Sequence, residues 1–332
     1  MFASPAAGFD DRVDDLMRPI LHLPRHPLRL LRFGPPALLP ATVTARVWRT
    51  DKARALFGGV AAHAFHPLHR PTSSAIGTTI IAAGHRHGWP VAEGGSQAIA
   101  DALASRLQQL GGKIRTGVRV RTAGDIPPAD IVLLDLAPGP IARILGDQLP
   151  PRVARAYRRY RHGPGAFKLD LAIEGNLPWT NPACARAGTV HLGGTFEEIA
   201  GTERALARGR MPERPFVLVG QQYLADPTRS AGNINPIWTY AHVPHGYTGD
   251  ATEAILTQIE RFAPGTRDRI VARDTRSTTQ LPAYNPNYVG GDIVTGANTE
   301  RQVVMRPRLA LDPYSTGIPG TYICSAASPP GA

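Results

Sequence analysis

Residues 89–120 constrain the fold most, because a glycine turn, a helix pattern and a strand pattern follow one another there. Gly94 and Gly95 predict a tight turn, and Ser96 is placed as the N-cap of a helix, its hydroxyl accepting from the free N–H groups of the first turn. Gly111 is suited to the left-handed conformation that ends a helix. Apolar and basic residues then alternate over 114–121, which predicts an amphipathic strand.

The predicted helix has one apolar stripe. Ile99, Leu103 and Leu107 recur every four residues, with Ala102 and Leu110 beside them. This spacing is typical of a helix that packs one face against the rest of the protein.

The composition describes a globular protein with many arginines. Of 332 residues, 42% are hydrophobic and 19% are charged, and the formal net charge is +11. Lys52, Lys113 and Lys168 are the only lysines. Apart from a cluster over 152–161 the basic residues are scattered, which argues against nucleic acid as a partner and leaves peripheral contact with an anionic membrane as an expectation.

The cysteines and the N-terminal sequence favour a cytoplasmic protein. Cys184 and Cys324 are the only cysteines, so neither a disulfide framework nor a zinc pattern is predicted. Residues 1–11 lack the basic and apolar segments of a signal peptide, and no apolar stretch reaches the length of a membrane span.

The remaining sequence divides into three parts. Residues up to Gly88 are predicted to be helical and rich in proline, with helices over 10–23, about 40–57 and 72–87. Residues 130–135 form a continuous apolar run that is typical of a buried parallel strand, and helices follow over 141–145 and 152–161. From Gly165 the pattern is α+β, with strands over 166–173, 189–192, 216–221, 237–243 and 270–280, helices over 196–208 and 251–262, and a last strand over 320–325.

Three sequence segments carry a resemblance to a known family. Residues 94–99 read G-G-S-Q-A-I, residues 111–120 read G-G-K-I-R-T-G-V-R-V, and residues 314–331 read Y-S-T-G-I-P-G-T-Y-I-C-S-A-A-S-P-P-G, with Gly291-Asp292 between them. In this order and with this spacing they resemble the phytoene dehydrogenase-like branch of the FAD-dependent oxidoreductases, within the amine-oxidase-type flavoproteins.

The resemblance implies FAD as cofactor and assigns its contacts. The backbone of Val120 is expected to contact the adenine ring. Ser325 and Ala326 are expected near the ribityl chain and the pyrophosphate, and Ser328, Pro330 and Gly331 near the flavin ring.

The same resemblance implies a two-part α/β plus α+β architecture. A partial, Rossmann-like FAD-binding domain is expected from 89–146 and 284–332. A mixed-sheet substrate domain with a helical cover is expected from 1–88 and 147–283.

The sequence departs from the family at both ends. No strand followed by G-x-G-x-x-G occurs, although such glycines let a backbone approach the pyrophosphate. The family also continues beyond Gly331 with a V-H-G-M segment and a helix that faces the flavin. The expectation is therefore a truncated form, whose FAD binding on its own is open.

The function that the resemblance implies is dehydrogenation or desaturation of an apolar small molecule, with hydride passing to the flavin. Such chemistry belongs to the cofactor, and no catalytic side chain is predicted. His191, Trp238 and His242 lie on predicted strands of the substrate domain and could line its cavity. Ordinary core positions are the alternative for all three.

A metal site is not predicted. Histidines stand at His63, His66 and His69 and again at His85 and His87. A spacing of three residues drifts around a helix, and no Asp or Glu between residues 57 and 87 could serve as a ligand or support one.

Two alternatives to the oxidoreductase remain. Residues 94–98 nearly match the G-x-S-x-G turn that presents a nucleophilic serine, which would make Ser96 the nucleophile of a hydrolase. Ala98 replaces the last glycine, and no strong apolar strand precedes Gly94. The second alternative is a non-catalytic remnant of the flavoprotein fold that binds a partner or a lipid surface through its arginines.

Overall fold

A computed structural model describes residues 8–19 and 22–331 of the protein, except for the side chains of Arg12, Arg29 and Arg32. Its helices are α1 (Phe9–Leu16), α2 (Pro27–Leu38), α3 (Ala41–Thr44), α4 (Asp51–Ala61), α5 (Ser73–His87), α6 (Gln97–Gln109), α7 (Pro138–Leu145), α8 (Pro151–Arg158), α9 (Phe196–Leu206), α10 (Thr252–Glu260), α11 (Leu281–Tyr284) and α12 (Glu300–Met305). Its strands are β1 (Val132–Leu134), β2 (Gly165–Glu174), β3 (Thr189–Leu192), β4 (Val217–Gly220), β5 (Ile234–Val243), β6 (Ile270–Arg276) and β7 (Thr321–Ile323). A parallel pair, an antiparallel sheet and packed helices confirm the predicted fold class.

An antiparallel sheet of order β3-β4-β5-β2-β6 forms the larger part of the core. Leu169, Leu171 and Ile173 alternate along β2 and are buried on one face, where Ile255 and Ile259 of α10 pack against the sheet. Each such side chain stabilises the fold by about 1.5–3 kcal/mol relative to an exposed one. The alternation of the sequence therefore fixes which face of β2 is inside.

The N-terminal helices cover part of the opposite face of the sheet. Phe57 of α4 packs in one buried cluster with Phe196 and with Phe216, which precedes β4. Helices α4 and α5 can approach closely because Gly77 has no side chain. A Cβ atom added there would lie 2.9 Å from the Ala61 Cα. The helical cover that the sequence predicted is thus fixed to the sheet by aromatic packing.

The parallel pair joins two distant parts of the chain. Strand β1 pairs with β7 in a register that sets Leu133 opposite Tyr322. Ile141, Tyr157 and Ile323 share one buried cluster behind this pair. The predicted run over 130–135 is a parallel strand, but Leu133 is 64% exposed, so it is an edge strand and not a fully buried one.

Helix α6 forms as the sequence predicts, but it has no buried residue. Its apolar stripe faces outward. The expected cap is wrong, because Ser96 has helical angles and its side chain makes no capping hydrogen bond. A helix satisfies most of its backbone hydrogen bonds within itself, so it can form without a cap or a neighbour.

The strand predicted over 114–120 is wrong. These residues have no strand conformation and are exposed up to residue 119, and Val120 is half-buried. A strand is defined by hydrogen bonds to another strand, and no described segment pairs with this one. The amphipathic pattern is present, but its partner is not among the described residues.

Prolines shift the N-terminal helices from their predicted bounds. The helix expected over 10–23 ends at Leu16, and Ile20, which the sequence placed on its apolar face, lies outside the described residues. The helix expected near 40–57 is divided into α3, a short turn and α4. In the part of the chain that the structure describes, no helix is long and apolar enough to cross a bilayer.

Candidate functional site

The carboxyl ends of β1 and β7 lie side by side. The Ser325 hydroxyl donates to the Leu136 carbonyl oxygen at 2.8 Å, and the Cys324 N–H donates to the Leu134 carbonyl oxygen at 3.1 Å. In open α/β sheets ligands bind outside the carboxyl ends of parallel strands. This end of the parallel pair is therefore the candidate site.

A cavity of about 690 Å³ adjoins the site. It lies between β1 with the turn that follows it and residues 118–121, so Val120 lines it. Its lining also includes the residues Arg119, Arg121, Asp135 and Arg143. A volume of this size falls in the range of small-molecule and cofactor sites.

The C-terminal loop brings the other predicted cofactor residues together. The Ser328 hydroxyl donates to the Ser325 carbonyl oxygen at 2.6 Å, and the Gly331 N–H donates to the Ser328 carbonyl oxygen at 2.9 Å. Both serine hydroxyls are thus used within the protein, and no described residue accepts the Ala326 N–H. With Pro330 these residues form one loop after β7, and their role as cofactor contacts stays a prediction.

Arg306 fixes that loop, and no sequence pattern predicted this role for the residue. The side chain is 3% exposed, and one of its nitrogens donates to the Ala326 carbonyl oxygen at 3.2 Å. Another donates to the Asn298 side chain, which itself donates to the Ala64 carbonyl oxygen at 2.9 Å. The arginine therefore links the C-terminal loop to the helical cover.

The turn between β1 and α7 does not form a phosphate cradle. Pro138 and Pro140 in the first turn of α7 have no N–H groups to offer an anion. The Asn287 side chain fills the turn, accepting from the Ala137 N–H at 2.8 Å and donating to the Asp135 carbonyl oxygen at 3.2 Å. No phosphate cradle is therefore found at this turn, the one βα turn that the structure describes in the parallel part of the fold.

Polar and aromatic side chains share the cover-side face of the antiparallel sheet. Lys168 of β2 forms an ion pair with Asp170 on the same face and lies opposite Tyr240 in the register. Trp238 lies two residues before Tyr240, so it shares this face. Burial raises the pKa of the Tyr240 hydroxyl. The sequence signal for Lys168 is its place in β2, because with Asp170 it occupies the polar positions between Phe167, Leu169 and Leu171.

Of the residues that could line a cavity, His242 is a core residue and His191 is a half-buried residue of the sheet. His191 lies against the helical cover, its Nε2 atom 2.8 Å from the Nε2 atom of His63. Burial lowers the pKa of His63 to about 4 and that of His191 to about 3. His242 is fully buried and its Nδ1 atom is 2.7 Å from a carboxylate oxygen of Glu203.

The histidines do not form a metal site. His63 meets His191, whereas His66 lies 3.8 Å from Glu300. Among the described residues no three His, Cys, Asp or Glu side chains are grouped to hold a metal ion.

Ser96 is not arranged as a nucleophile. It is exposed, and within the described ranges its hydroxyl has no hydrogen-bond partner. Asp226 lies nearby but accepts from the Gly94 N–H at 2.8 Å and from Arg229 Nε at 3.1 Å. These contacts anchor the glycine turn to the segment that follows β4 and supply no base to Ser96.

Comparisons with known proteins identify the fold. No protein-family profile matches the sequence, and no curated protein sequence matches it. An oxidoreductase from Methanosarcina mazei superposes with a TM-score of 0.61 over 90% of this chain and 66% of its own length, at 16% sequence identity. Wild-type putrescine oxidase bound to putrescine superposes with a TM-score of 0.55 over 98% of this chain and 70% of its own length, at 15% identity. Similarity at this level of identity shows a shared fold, and this chain spans about two thirds of these neighbours.

Proposed function

We propose that this chain acts as a FAD-dependent oxidoreductase of the dehydrogenase or desaturase type, on an apolar small molecule. Two of its structural neighbours are an oxidoreductase and putrescine oxidase. The aromatic pair Trp238 and Tyr240 on the sheet face offers apolar contact surface for such a substrate.

One observation carries the proposal. Three segments that are far apart in the sequence meet at the carboxyl end of the parallel pair: Val120 lines the cavity beside Leu136, and Ser325 bonds to Leu136. All three lie where α/β folds bind nucleotide cofactors. The segments that carry the family resemblance at 111–120 and 314–331 therefore adjoin the same strand end.

The described residues fit one flank of FAD and not its phosphates. The Val120 backbone and the free Ala326 N–H offer contacts along one side, and Arg306 holds the loop that presents Ala326. The prolines of α7 and the Asn287 side chain leave no anion cradle after β1. FAD, when bound, supplies the hydride acceptor. The protein's part is to position it and to exclude water from the apolar substrate.

Flavin binding tests the proposal directly. The purified protein is mixed with FAD, separated from free cofactor by gel filtration and scanned for visible flavin absorption. We expect retained flavin, and Val120→Pro should weaken retention because it removes the backbone N–H beside the cavity. Arg115→Pro, on the same exposed segment but outside the cavity lining, is the matched control. A colourless protein that takes up no flavin would contradict the proposal that this chain by itself is a flavoenzyme.

A non-catalytic binding protein is the second candidate, and the missing phosphate cradle at the β1–α7 turn favours it. It predicts a folded protein that takes up no flavin. The serine hydrolase gains no support, because Ser96 has no base beside it in the described structure. Any ester turnover should therefore be unchanged in Ser96→Ala.

A further inference from the structure

The N-terminal helices carry an exposed apolar surface. It comprises the exposed side chains of residues 17–19 and 22–49, and is called the basic apolar surface below. Phe33 and Ala37 are buried on one side of α2, and the helix contacts α5. The opposite side of α2 and the segments next to it expose large apolar side chains: Leu23 92%, Leu28 75%, Leu31 68%, Leu38 58%, Val47 57% and Leu39 42%. Soluble proteins rarely expose apolar surface of this extent unless it serves an interaction.

The charge of this surface is positive. From residue 16 to residue 50 the sequence contains six arginines and no Asp or Glu. Arg18 precedes the exposed apolar side chains in the sequence, Arg46 and Arg49 lie at their end, and all three are exposed. Among the described residues no carboxylate forms an ion pair with any of these three arginines.

Acidic residues of the neighbouring helix α1 are engaged in other ion pairs. Asp10 pairs with Arg86 and His87 of α5. A carboxylate oxygen of Asp14 lies 2.9 Å from a guanidinium nitrogen of Arg25. The basic apolar surface therefore keeps an excess of positive charge next to its leucines.

We propose that the basic apolar surface binds the surface of an anionic lipid bilayer. Arginine guanidinium groups bind the phosphates of lipid headgroups, and their long side chains let neighbouring leucines reach the acyl chains. A helix of 12 residues such as α2 is too short to cross a bilayer, so it lies along the membrane surface.

The two other classes of occupant match this surface less well. A nucleic acid would bind the arginines and leave the leucines exposed to water. A second copy of the chain, paired through the same surface, would bring like charges together. Unpaired arginines beside exposed leucines therefore favour an anionic membrane.

Vesicle binding tests the proposal without flavin, so its outcome does not depend on the proposed oxidoreductase function. The purified protein is mixed with vesicles of phosphatidylcholine and phosphatidylglycerol in equal amounts, or of phosphatidylcholine alone, and the vesicles are floated on a density gradient. We expect the protein to float with the anionic vesicles at low salt, to be released at high salt, and to bind the neutral vesicles more weakly.

Three outcomes of that experiment would overturn the proposal. The first is no binding to the anionic vesicles, and the second is equal binding to both kinds of vesicle. The third is a dimer in gel filtration that Leu31→Glu converts to a monomer, which would assign the surface to a second copy of the chain.

Substitution of arginines tests whether the contact lies on this surface. Arg46→Gln with Arg49→Gln should weaken binding to the anionic vesicles about tenfold. Arg152→Gln with Arg155→Gln, at exposed positions of α8, removes the same charge elsewhere and should bind within about twofold of the wild type. Equal losses in the two double variants would mean that binding follows net charge alone, and would overturn the proposal.

Substitution of leucines tests the apolar part of the contact. Leu28→Glu with Leu31→Glu should weaken vesicle binding about tenfold, because two side chains that enter the lipid become charged. The control is Leu103→Glu with Leu110→Glu, at two positions of α6 that are each 68% exposed, and it should bind within about twofold of the wild type. Equal losses in the two double variants would overturn the proposal.

Tryptophan quenching measures insertion directly and needs only single, exposed substitutions. Leu31→Trp and the control Leu103→Trp are bound to anionic vesicles whose acyl chains carry bromine, which quenches tryptophan fluorescence within the hydrocarbon. We expect more quenching in Leu31→Trp than in the wild type, and no increase in Leu103→Trp. Absence of added quenching in Leu31→Trp would show that α2 does not enter the bilayer and would overturn the proposal.

Discussion

The antiparallel sheet and residues 97–121 show what a sequence pattern can and cannot do by itself. In the sheet, alternation along β2 is met by α10 on one face and by neighbouring strands on both edges. Over residues 97–121, equally regular patterns form a helix at α6 and nothing regular over 114–120. The difference follows from where the hydrogen bonds are made, since those of a helix are local and those of a strand need a second segment.

The largest effect on the free energy of unfolding is expected from a comparison of one buried and one exposed leucine. Leu169 in β2 is fully buried and Leu103 in α6 is 68% exposed. Leu169→Ala should lower the free energy of unfolding by about 2–5 kcal/mol, because it leaves a cavity in the core. Leu103→Ala should change it by no more than about 0.5 kcal/mol. Urea denaturation measures both, and equal losses would mean that α6 is packed in solution.

Acid should weaken the contact between the sheet and its helical cover. Burial lowers the pKa of His63 to about 4 and of His191 to about 3, below the ordinary value of 6.5. Between pH 6.5 and about 4 the two histidines are therefore protonated in the unfolded chain but neutral in the folded protein. The free energy of unfolding falls as the pH drops through this range. The loss should be on the order of 3 kcal/mol.

The variants isolate that loss. His63→Asn with His191→Asn should reduce the dependence of the unfolding free energy on pH between 6.5 and 4, and His26→Asn should leave it unchanged. Part of the slope should remain, because burial also lowers the pKa of His66 and of His69. Asp226, whose pKa is lowered to about 2 by hydrogen bonds from Thr228 and Gly94, contributes only to losses at lower pH. A slope equal to that of the wild type after the double substitution would assign the acid sensitivity to other groups.

Asp226 connects the two regions, so its loss should loosen one of them. It accepts from the Gly94 N–H, and its partner Arg229 donates to the Ala92 carbonyl oxygen at 2.7 Å. Asp226→Ala should raise the rate of proteolytic cleavage near Gly94 severalfold and cost roughly 1–3 kcal/mol. Asp147→Asn, at an exposed position, is the control. Cleavage that stays unchanged would show that the glycine turn is held by other contacts.

The smallest effect on stability is expected from a comparison of the N-termini of two helices, α9 and α6. The Thr195 hydroxyl accepts from the Glu198 N–H, and the Glu198 carboxylate accepts from the Thr195 N–H at 2.8 Å, whereas Ser96 caps nothing. Thr195→Ala should cost about 1 kcal/mol in thermal or urea unfolding. Ser96→Ala should cost less than about 0.3 kcal/mol. A loss at Ser96 equal to that at Thr195 would restore the predicted cap.

The sequence predicted much of the fold because the relevant signals are local. All five strands of the antiparallel sheet and the helices α6, α9 and α10 were predicted, with alternation as the signal for β2 and apolar spacing as the signal for α6. The strand over 114–120 and the cap at Ser96 were wrong because each needs a partner that the pattern does not supply. For His191 and His242 the sequence left a cavity lining and an ordinary core or sheet position both open, and tertiary packing buries His242 and half-buries His191.

The candidate site could be predicted only in part. Ser325, Ala326, Ser328, Pro330 and Gly331 are consecutive or nearly so, and a single loop places them together. The contacts of Arg306, Asn298 and Asn287 could not be anticipated, because their partners are distant in sequence. The Asn298 side chain, for example, bonds to a carbonyl 234 residues away.

The pairing of β1 with β7 also sets a minimum delay during synthesis of the chain. Ser325 and Leu136 are 189 positions apart, and a ribosome adds about 5–20 residues each second. The first strand of the parallel pair therefore waits for about 10–40 s before its neighbour has been synthesised. During that interval both edges of β1 are unpaired, while β2 to β6 can already assemble. The antiparallel sheet should fold first during synthesis, and the strand ends that form the candidate site should come together last.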